Sequence, residues 1–417
     1  MTTATPPLLR DRLGLPATTG HARLIGAHVV DSLGTGLILA FTLVYFADTT
    51  GLSVAAVGAA VSAARLLALP TAVAVGPLLD RYGARPVATA GNSLSALAYG
   101  GFLLAHQAWQ IVLVCLLAQI GQAAYWTSST GLVVLAADEG ERPRWFALVQ
   151  TLRNAGLGLG GALAAVLAAG GGTGALRLLV ALNAVSYALA AALLGTWRPA
   201  GTADAARTRT EAPAGGPVTP DGPGGYRAVL RDRRYLLLIA INLTFVFASM
   251  ILSMLLAVYL TEGLHRDAWT AGALLVLNGV QVVLTQSAVA RRLERFRPTR
   301  VVAAGGLLNA VAFALFALVA AAPGWAVLGG LFTAMAVYNL AETVATPFRE
   351  DLSVSLADPH RRGRYLALYQ LSWNVGQAVA PGLLTLLLTR AAVLPWLFLL
   401  LLSIAAVPAL VRLERTA

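Results

Sequence analysis

Twelve tracts of about twenty predominantly apolar residues run along this chain, and no other feature limits its folding so severely. A helix of about 20 residues crosses roughly 30 Å of hydrocarbon while satisfying every backbone donor internally. The tracts predict helices at 24–47, 54–78, 87–107, 109–135, 146–169, 175–196, 235–261, 268–290, 301–322, 326–348, 365–389 and 395–411. Only 12% of the residues are charged and 58% are hydrophobic. A soluble globule carries about a quarter charged residues, so the expected solvent for this one is lipid. The opening "MTTATPPLLRDRLGLPATTG" has no apolar run, so no cleaved signal peptide is expected and the first helix does the targeting.

The net charge of +11 is a matter of topology rather than of nucleic-acid binding. All 30 basic residues are arginine. With both termini cytoplasmic, 25 fall on cytoplasmic segments, three outside (Arg177, Arg266, Arg390) and two within helices (Arg65, Arg153), the bias that the positive-inside rule requires. A chain without lysine has no phosphate-binding loop of the G-x-x-x-x-G-K-[ST] type, so "AGGGTGA" at 169–175 reads as an outside turn. The lone Cys115 permits no internal disulfide and no cysteine metal cluster, and reads as a small packing residue. No metal or cofactor is expected.

The chain is written twice. At an offset of 214, "LLDRYGARPVATAG" aligns with "RLERFRPTRVVAAG", pairing Asp80 with Glu294, Arg81 with Arg295 and Gly91 with Gly305. At an offset of 220, "RWFALVQTLRNAG" aligns with "RYLALYQLSWNVG", pairing Arg144 with Arg364, Gln150 with Gln370 and Asn154 with Asn374. Two six-helix halves follow. The expected organisation is a cytoplasmic segment 1–23, a first bundle 24–196, a disordered cytoplasmic linker 197–225, an interfacial helix and second bundle 226–411, and a tail 412–417. The linker is rich in Pro, Gly, Ala and Thr; "YRAVLRDRRY" after it alternates arginines with apolar residues at helical spacing.

Between the second and third tracts lies "GPLLDRYGARPV". Gly83 supplies the positive φ that a tight turn needs, and Arg81 and Arg85 stay with water and lipid phosphate. Asp80 is not required by topology. A carboxylate there is comfortable beside an arginine or a helix N-terminus, and Gly76, one turn earlier, lets a neighbour approach closely. The stretch resembles the loop between helices 2 and 3 of the major facilitator superfamily, G-x-x-x-D-[RK]-x-G-[RK]-[RK], through Gly76, Asp80, Arg81, Gly83 and Arg85. With the helix count, repeat and linker, the resemblance covers essentially the whole chain. It implies an all-α membrane fold of two pseudo-symmetric bundles, with Asp80 in a gating loop that latches the cytoplasmic side. The plainer alternative is a turn and topology signal. In the second copy, Arg297 and Thr299 replace a glycine and an arginine, so any latch is expected to be asymmetric.

Four ionisable residues fall within the tracts: Asp31, Arg65, Arg153 and Glu342. Each costs about 2.5 to 3.5 kcal/mol unpaired at a helix centre, so each should face protein or a wet cavity. Asp31 is a candidate proton carrier with Arg65 as its cation; alternatively the two form a permanent structural pair. Glu342 is the second candidate, whereas Glu350 and Asp351 lie near the aqueous end and are expected to bind nothing. The tract "QTLRNAGLGLGGALA" resembles the helix-5 signature of drug and proton antiporters in Gly156, Gly160 and Gly161, which read as helix-packing positions. Leu157 stands where that signature has proline; the mirrored eleventh tract carries Pro381 instead. The helix-4 basic residue of such antiporters is missing, and Arg153 is the substitute.

A cavity at the repeat interface is expected near the bilayer middle. Its candidate lining is Tyr45, Gln119, Gln122, Tyr125 and Trp126 from the first half, with Asn242, Asn278, Gln281, Tyr338, Asn339 and Trp373 from the second. Such a chamber favours amphipathic molecules over phosphorylated ones. The expected function is secondary active transport by alternating access, as proton-coupled efflux of a hydrophobic or amphipathic small molecule. The alternatives are a proton-coupled importer and a non-transporting membrane receptor or scaffold. No nucleophile elbow, paired-carboxylate motif or metal-ligand cluster points to an enzyme. The expected partners are the substrate, protons and the bilayer of a bacterial cell membrane, with the chain a monomer.

Overall fold

A computed structural model of the chain describes residues 14–39, 41–199, 225–250, 256–264, 267 and 269–416. Most of the expected N-terminal segment and nearly all of the expected linker lie outside the described residues. The first half contains α1 (Ala22–Ile38), α2 (Thr42–Thr50), α3 (Val54–Ala68), α4 (Thr71–Tyr82), α5 (Ala84–Phe102), α6 (Ala108–Ala136), α7 (Arg142–Ala169) and α8 (Gly172–Thr196). The second contains α9 (Gly225–Arg231), α10 (Arg233–Met250), α11 (Trp269–Leu293), α12 (Pro298–Val319), α13 (Gly324–Ser355), α14 (Arg362–Arg390) and α15 (Leu394–Thr416). Among the described residues there is no strand.

Two expected spans are bent. The first is α1 and α2, meeting at 53°, and the second is α3 and α4, meeting at 44°. Pro70 caps α4, and its missing N–H breaks the ladder at the second bend. Nine described helices are long and apolar enough to cross a membrane, or eleven if each bent pair is one span. The third expected span, α5, is too polar for that count, but Asn92 and Ser95 are fully buried against protein rather than facing lipid.

Local sequence sets the turns. Gly83 has φ +82° and ends α4 while opening α5, so two helices reverse about a single residue. Ser53 caps α3 by accepting from Ala56 N at 3.2 Å. In the first half α1 packs on α7 and α8, and α5 on α6 and α8; in the second, α12 packs on α13 and α15, and α10 on α14 and α15. Glycines bring α1 and α7 close. A Cβ on Gly156 would meet Ser32, one on Gly160 would meet the Leu33 carbonyl and Gly36, whereas Gly158 faces open space. Gly161 is near Gly36 only at ordinary contact distance. Pro381 lies within α14, and its side chain is outside the described set.

The halves meet in a crossed pattern. The second expected span, through α4, packs on α14, and its repeat mate α11 packs on α7, the mate of α14; α7 also touches α13. Val354 and Leu366 of the second half join an apolar cluster built mostly from the first.

Candidate functional site: a seam with a clasped end

At the arginine-rich end, ion pairs at Asp80 and at Glu294 join the halves among the described residues. Asp80 Oδ1 accepts from Gly363 N at 2.5 Å, and Arg364 Nη1 lies 3.3 Å from Asp80 Oδ2. Both side chains are 12–13% exposed. The approach depends on glycine, because a Cβ on Gly76 would strike Tyr226 and Arg364, and one on Gly363 would strike the Gly76 carbonyl. Tyr226, in α9 of the second half, donates to the Val73 carbonyl of the first at 2.5 Å. The second pair joins Arg144, through Nε and Nη2, to both carboxylate oxygens of Glu294.

Asp80 and Glu294 are repeat mates, and so are Arg364 and Arg144. The clasp is therefore reciprocal, which corrects the expected asymmetry. The positions lost from the second copy do not cross the seam in either half. Arg85 donates to Gly195 O at the end of α8, at 3.1 Å. Correspondingly, Arg297 and Arg300 hold Glu414 at the end of α15, at 2.8 and 3.0 Å. Arg81 lies exposed over the Tyr82 ring.

Further along the seam sits a chain of charges. Asp31 is 1% exposed on α1, and its Oδ1 has no hydrogen-bond partner. The cation acting on it is Arg153 of α7, not Arg65, whose side chain is exposed on α3. That corrects the expected pairing, since the Arg65 side chain is exposed whereas Asp31 is enclosed. Arg153 stacks on Trp126 of α6, with Cζ 4.0 Å from the ring centre, and is also acted on by Glu350 of α13. Glu350 accepts from Tyr369 at 3.2 Å and Thr130 at 3.5 Å, so its carboxylate touches both halves, contrary to the expectation that it binds nothing. Arg349, expected outside the membrane, is 0% exposed, with Cζ 4.7 Å from the Phe245 ring and 6.0 Å from Trp373. Arg349 acts in turn on both Glu350 and Glu342. The connected groups comprise three carboxylates (Asp31, Glu342, Glu350) and two guanidiniums (Arg153, Arg349). Fully ionised, they leave one negative charge uncompensated.

A cavity of about 190 Å³ opens beside this chain, lined by Gln150 and Asn154 of α7 and by Ser249, Leu275, Asn278, Val282, Gln286, Met335, Tyr338, Glu342 and Thr346. Of the expected lining residues Asn278 and Tyr338 line it, and Glu342, expected as a buried charge, lines it as well. Asn278 donates to Asn339 Oδ1 at 2.6 Å, Asn339 donates to Gln281 at 3.1 Å, and Gln281 donates to Ala336 O at 3.0 Å, which ties α11 to α13. In the first half, Gln122 donates to the hydroxyls of Tyr99 (3.1 Å) and Tyr187 (3.3 Å), and Tyr125 bonds His28 Nδ1 at 2.8 Å. Gln119 is half-buried on α6.

Nine of the eleven expected lining residues are not among those that line the cavity, Tyr45 and Asn242 among them. Tyr45 is 1% exposed and donates to Phe102 O at 3.0 Å within the apolar core of the first half. Asn242 is 0% exposed and donates to Ser372 at 2.7 Å, holding α10 to α14. Tyr45 is satisfied inside one half, and Asn242 is held there through its amide N–H with its Oδ1 left without a partner, roles that residue type alone does not distinguish from cavity lining. Arg349, Glu350, Thr130 and Tyr369 were missed. Glu342 and Arg349 are seven residues apart on one helix face, and that spacing was the available signal.

The model of the Major Facilitator Superfamily matches residues 24–381. The chain belongs to that superfamily. Its curated relatives include the multidrug resistance protein MdtH of Escherichia coli O1:K1 and of Shigella boydii serotype 18, each 25% identical over 351 residues, covering 83% of this chain and 81% of the relative. Among solved structures, a bacterial homologue of the iron transporter ferroportin in an outward-facing state superposes with a TM-score of 0.75 at 13% identity, covering 94% of this chain and 98% of that one. The proton:xylose symporter XylE gives 0.70 at 15%, covering 92% and 93%. The superfamily member described here is thus a multi-pass membrane transporter of small molecules, not an enzyme.

Proposed function

We propose that this transporter exports an amphipathic small molecule from a bacterial cell in exchange for protons, as a monomer that alternates access across the bilayer. The arginine-rich end faces the cytoplasm on the positive-inside bias, so the reciprocal clasp closes the cytoplasmic side and the conformation is outward-facing. Asp80, with Gly76 and Gly363 allowing its approach, is the gating carboxylate; Glu294 is its counterpart. Opening requires both ion pairs to part as the two halves rock.

Asp31 is the proton site. The observation that carries the reading is its position: buried, with one oxygen unpartnered, and facing an arginine that Glu350 of the opposite half also attracts. When Asp31 takes a proton, its hold on Arg153 weakens and the balance at Glu350 changes, so protonation in one half alters the attraction between halves. The multidrug resistance relatives support the direction of transport.

Everted membrane vesicles test it. With the interior acidified, vesicles carrying the wild-type chain should accumulate amphipathic dyes or antibiotics, and Asp31→Asn vesicles should not. Failure of every such compound to accumulate above empty vesicles would overturn the reading.

A further inference from the structure

We infer that Glu342 is the docking carboxylate for an organic cation that also carries a hydrogen-bond acceptor, leaving Asp31 in the opposite half for the proton. The inference rests on the transport reading above and adds the charge class of the substrate. It begins from the cavity walls. Glu342 is the one charged residue among the eleven that line the cavity; the others are amides, hydroxyls and apolar side chains. Among the described residues, no basic side chain lines the lumen. Arg349, on the helix that carries Glu342, is 0% exposed and stacked on Phe245, its three guanidinium nitrogens enclosed without a hydrogen-bond partner, so it tempers the Glu342 charge without lining the lumen.

Two wall groups are left wanting partners. Glu342 Oε2 accepts from Thr346 at 3.3 Å, and Tyr338 lies beside it, but Oε1 is buried without a well-formed hydrogen bond. Gln286 is 1% exposed and its Nε2 donor has no partner. Buried polar atoms of this kind are completed by a ligand or by water. The acceptor oxygen calls for a positive or donating group, and the amide N–H calls for an acceptor such as a carbonyl. Leu275, Val282 and Met335 supply the apolar wall for the rest of the molecule.

The charge count of the seam points the same way. Three connected carboxylates face two guanidiniums, so one positive charge is missing. Either a proton or a monovalent cation supplies it, and a bound anion would enlarge the deficit. An anionic substrate is therefore opposed twice, by the wall and by the sum.

Three probes of nearly one shape test this on the purified full chain in nanodiscs: benzyltrimethylammonium, the neutral neopentylbenzene and the anionic phenylmethanesulfonate, titrated by ligand-observed NMR against empty nanodiscs. The wild type should bind the cation at least tenfold more tightly than the sulfonate. Phenacyltrimethylammonium, which adds a carbonyl, should bind more tightly still, and Gln286→Leu should remove that increment alone. Glu342→Gln should abolish the charge preference, whereas Glu342→Asp and Asp31→Asn should keep it. Equal or tighter binding of the sulfonate by the wild type overturns the inference whether or not the variants fold; so does a folded Glu342→Gln protein that still prefers the cation. Counterflow on the same preparation separates the two readings. Charge preference without flux removes the transporter reading alone, and flux without charge preference removes this inference alone.

Discussion

Replacing Asp80 with Asn should loosen the clasp by a calculable amount. Two unit charges 3.3 Å apart attract by about 5 kcal/mol at an effective dielectric of 20. Dehydrating two side chains that are only 12–13% exposed offsets much of this, which leaves about 1–3 kcal/mol. That corresponds to roughly a 5- to 150-fold shift in the ratio of clasped to open transporter. Spin labels at Tyr82→Cys and Phe296→Cys, repeat mates exposed at the same end in opposite halves, report the ratio by double electron–electron resonance, with Cys115→Ala removing the native thiol. The short-distance population should dominate in the parent and fall by at least fivefold in Asp80→Asn. Because the clasp is reciprocal, Glu294→Gln should produce a shift of similar size. Exchanging the Asp80 and Arg364 residues should restore the parent distribution. Unchanged distances in both single variants would refute the reasoning.

Other outcomes follow from the same geometry. Tyr226→Phe removes one cross-seam hydrogen bond and should move the labelled equilibrium in the same direction by about 1 kcal/mol. Gly160→Ala should lower the melting temperature in detergent, since its Cβ would meet backbone of α1, while Gly158→Ala, two residues away in open space, should leave it unchanged. Asn339→Leu should destabilise by about 1–3 kcal/mol by stranding the amides of Asn278 and Gln281, read by thermal unfolding with Asn278→Leu in a double-mutant cycle.

The fold was largely legible because lipid enforces a simple rule: long apolar runs must be helices, and their arginines mark one side. The repeat offsets fixed which residues correspond, and the clasp uses those correspondences. The seam was harder to read. Hydropathy placed the end of the tenth tract at residue 348, but α13 continues to Ser355. A helix facing protein has no need to stop where it becomes polar, so Arg349 and Glu350 were assigned to water. Arg65 and Arg153 look alike in sequence, and only the rotation of α3 and α7 about their axes decides which one meets Asp31. Tyr45 and Asn242 show the converse limit, for a polar side chain hydrogen-bonded within one bundle has the same sequence signature as one lining a cavity.

The central claim is that one missing positive charge in the seam is supplied alternately by proton and substrate. Proton release measured in weakly buffered solution, as phenacyltrimethylammonium is titrated into the purified protein, addresses it without any membrane gradient. The account predicts about one proton released per cation bound at a pH where the empty seam is protonated, and none from Asp31→Asn at equal occupancy. Saturable binding with no proton release from the wild type would contradict it.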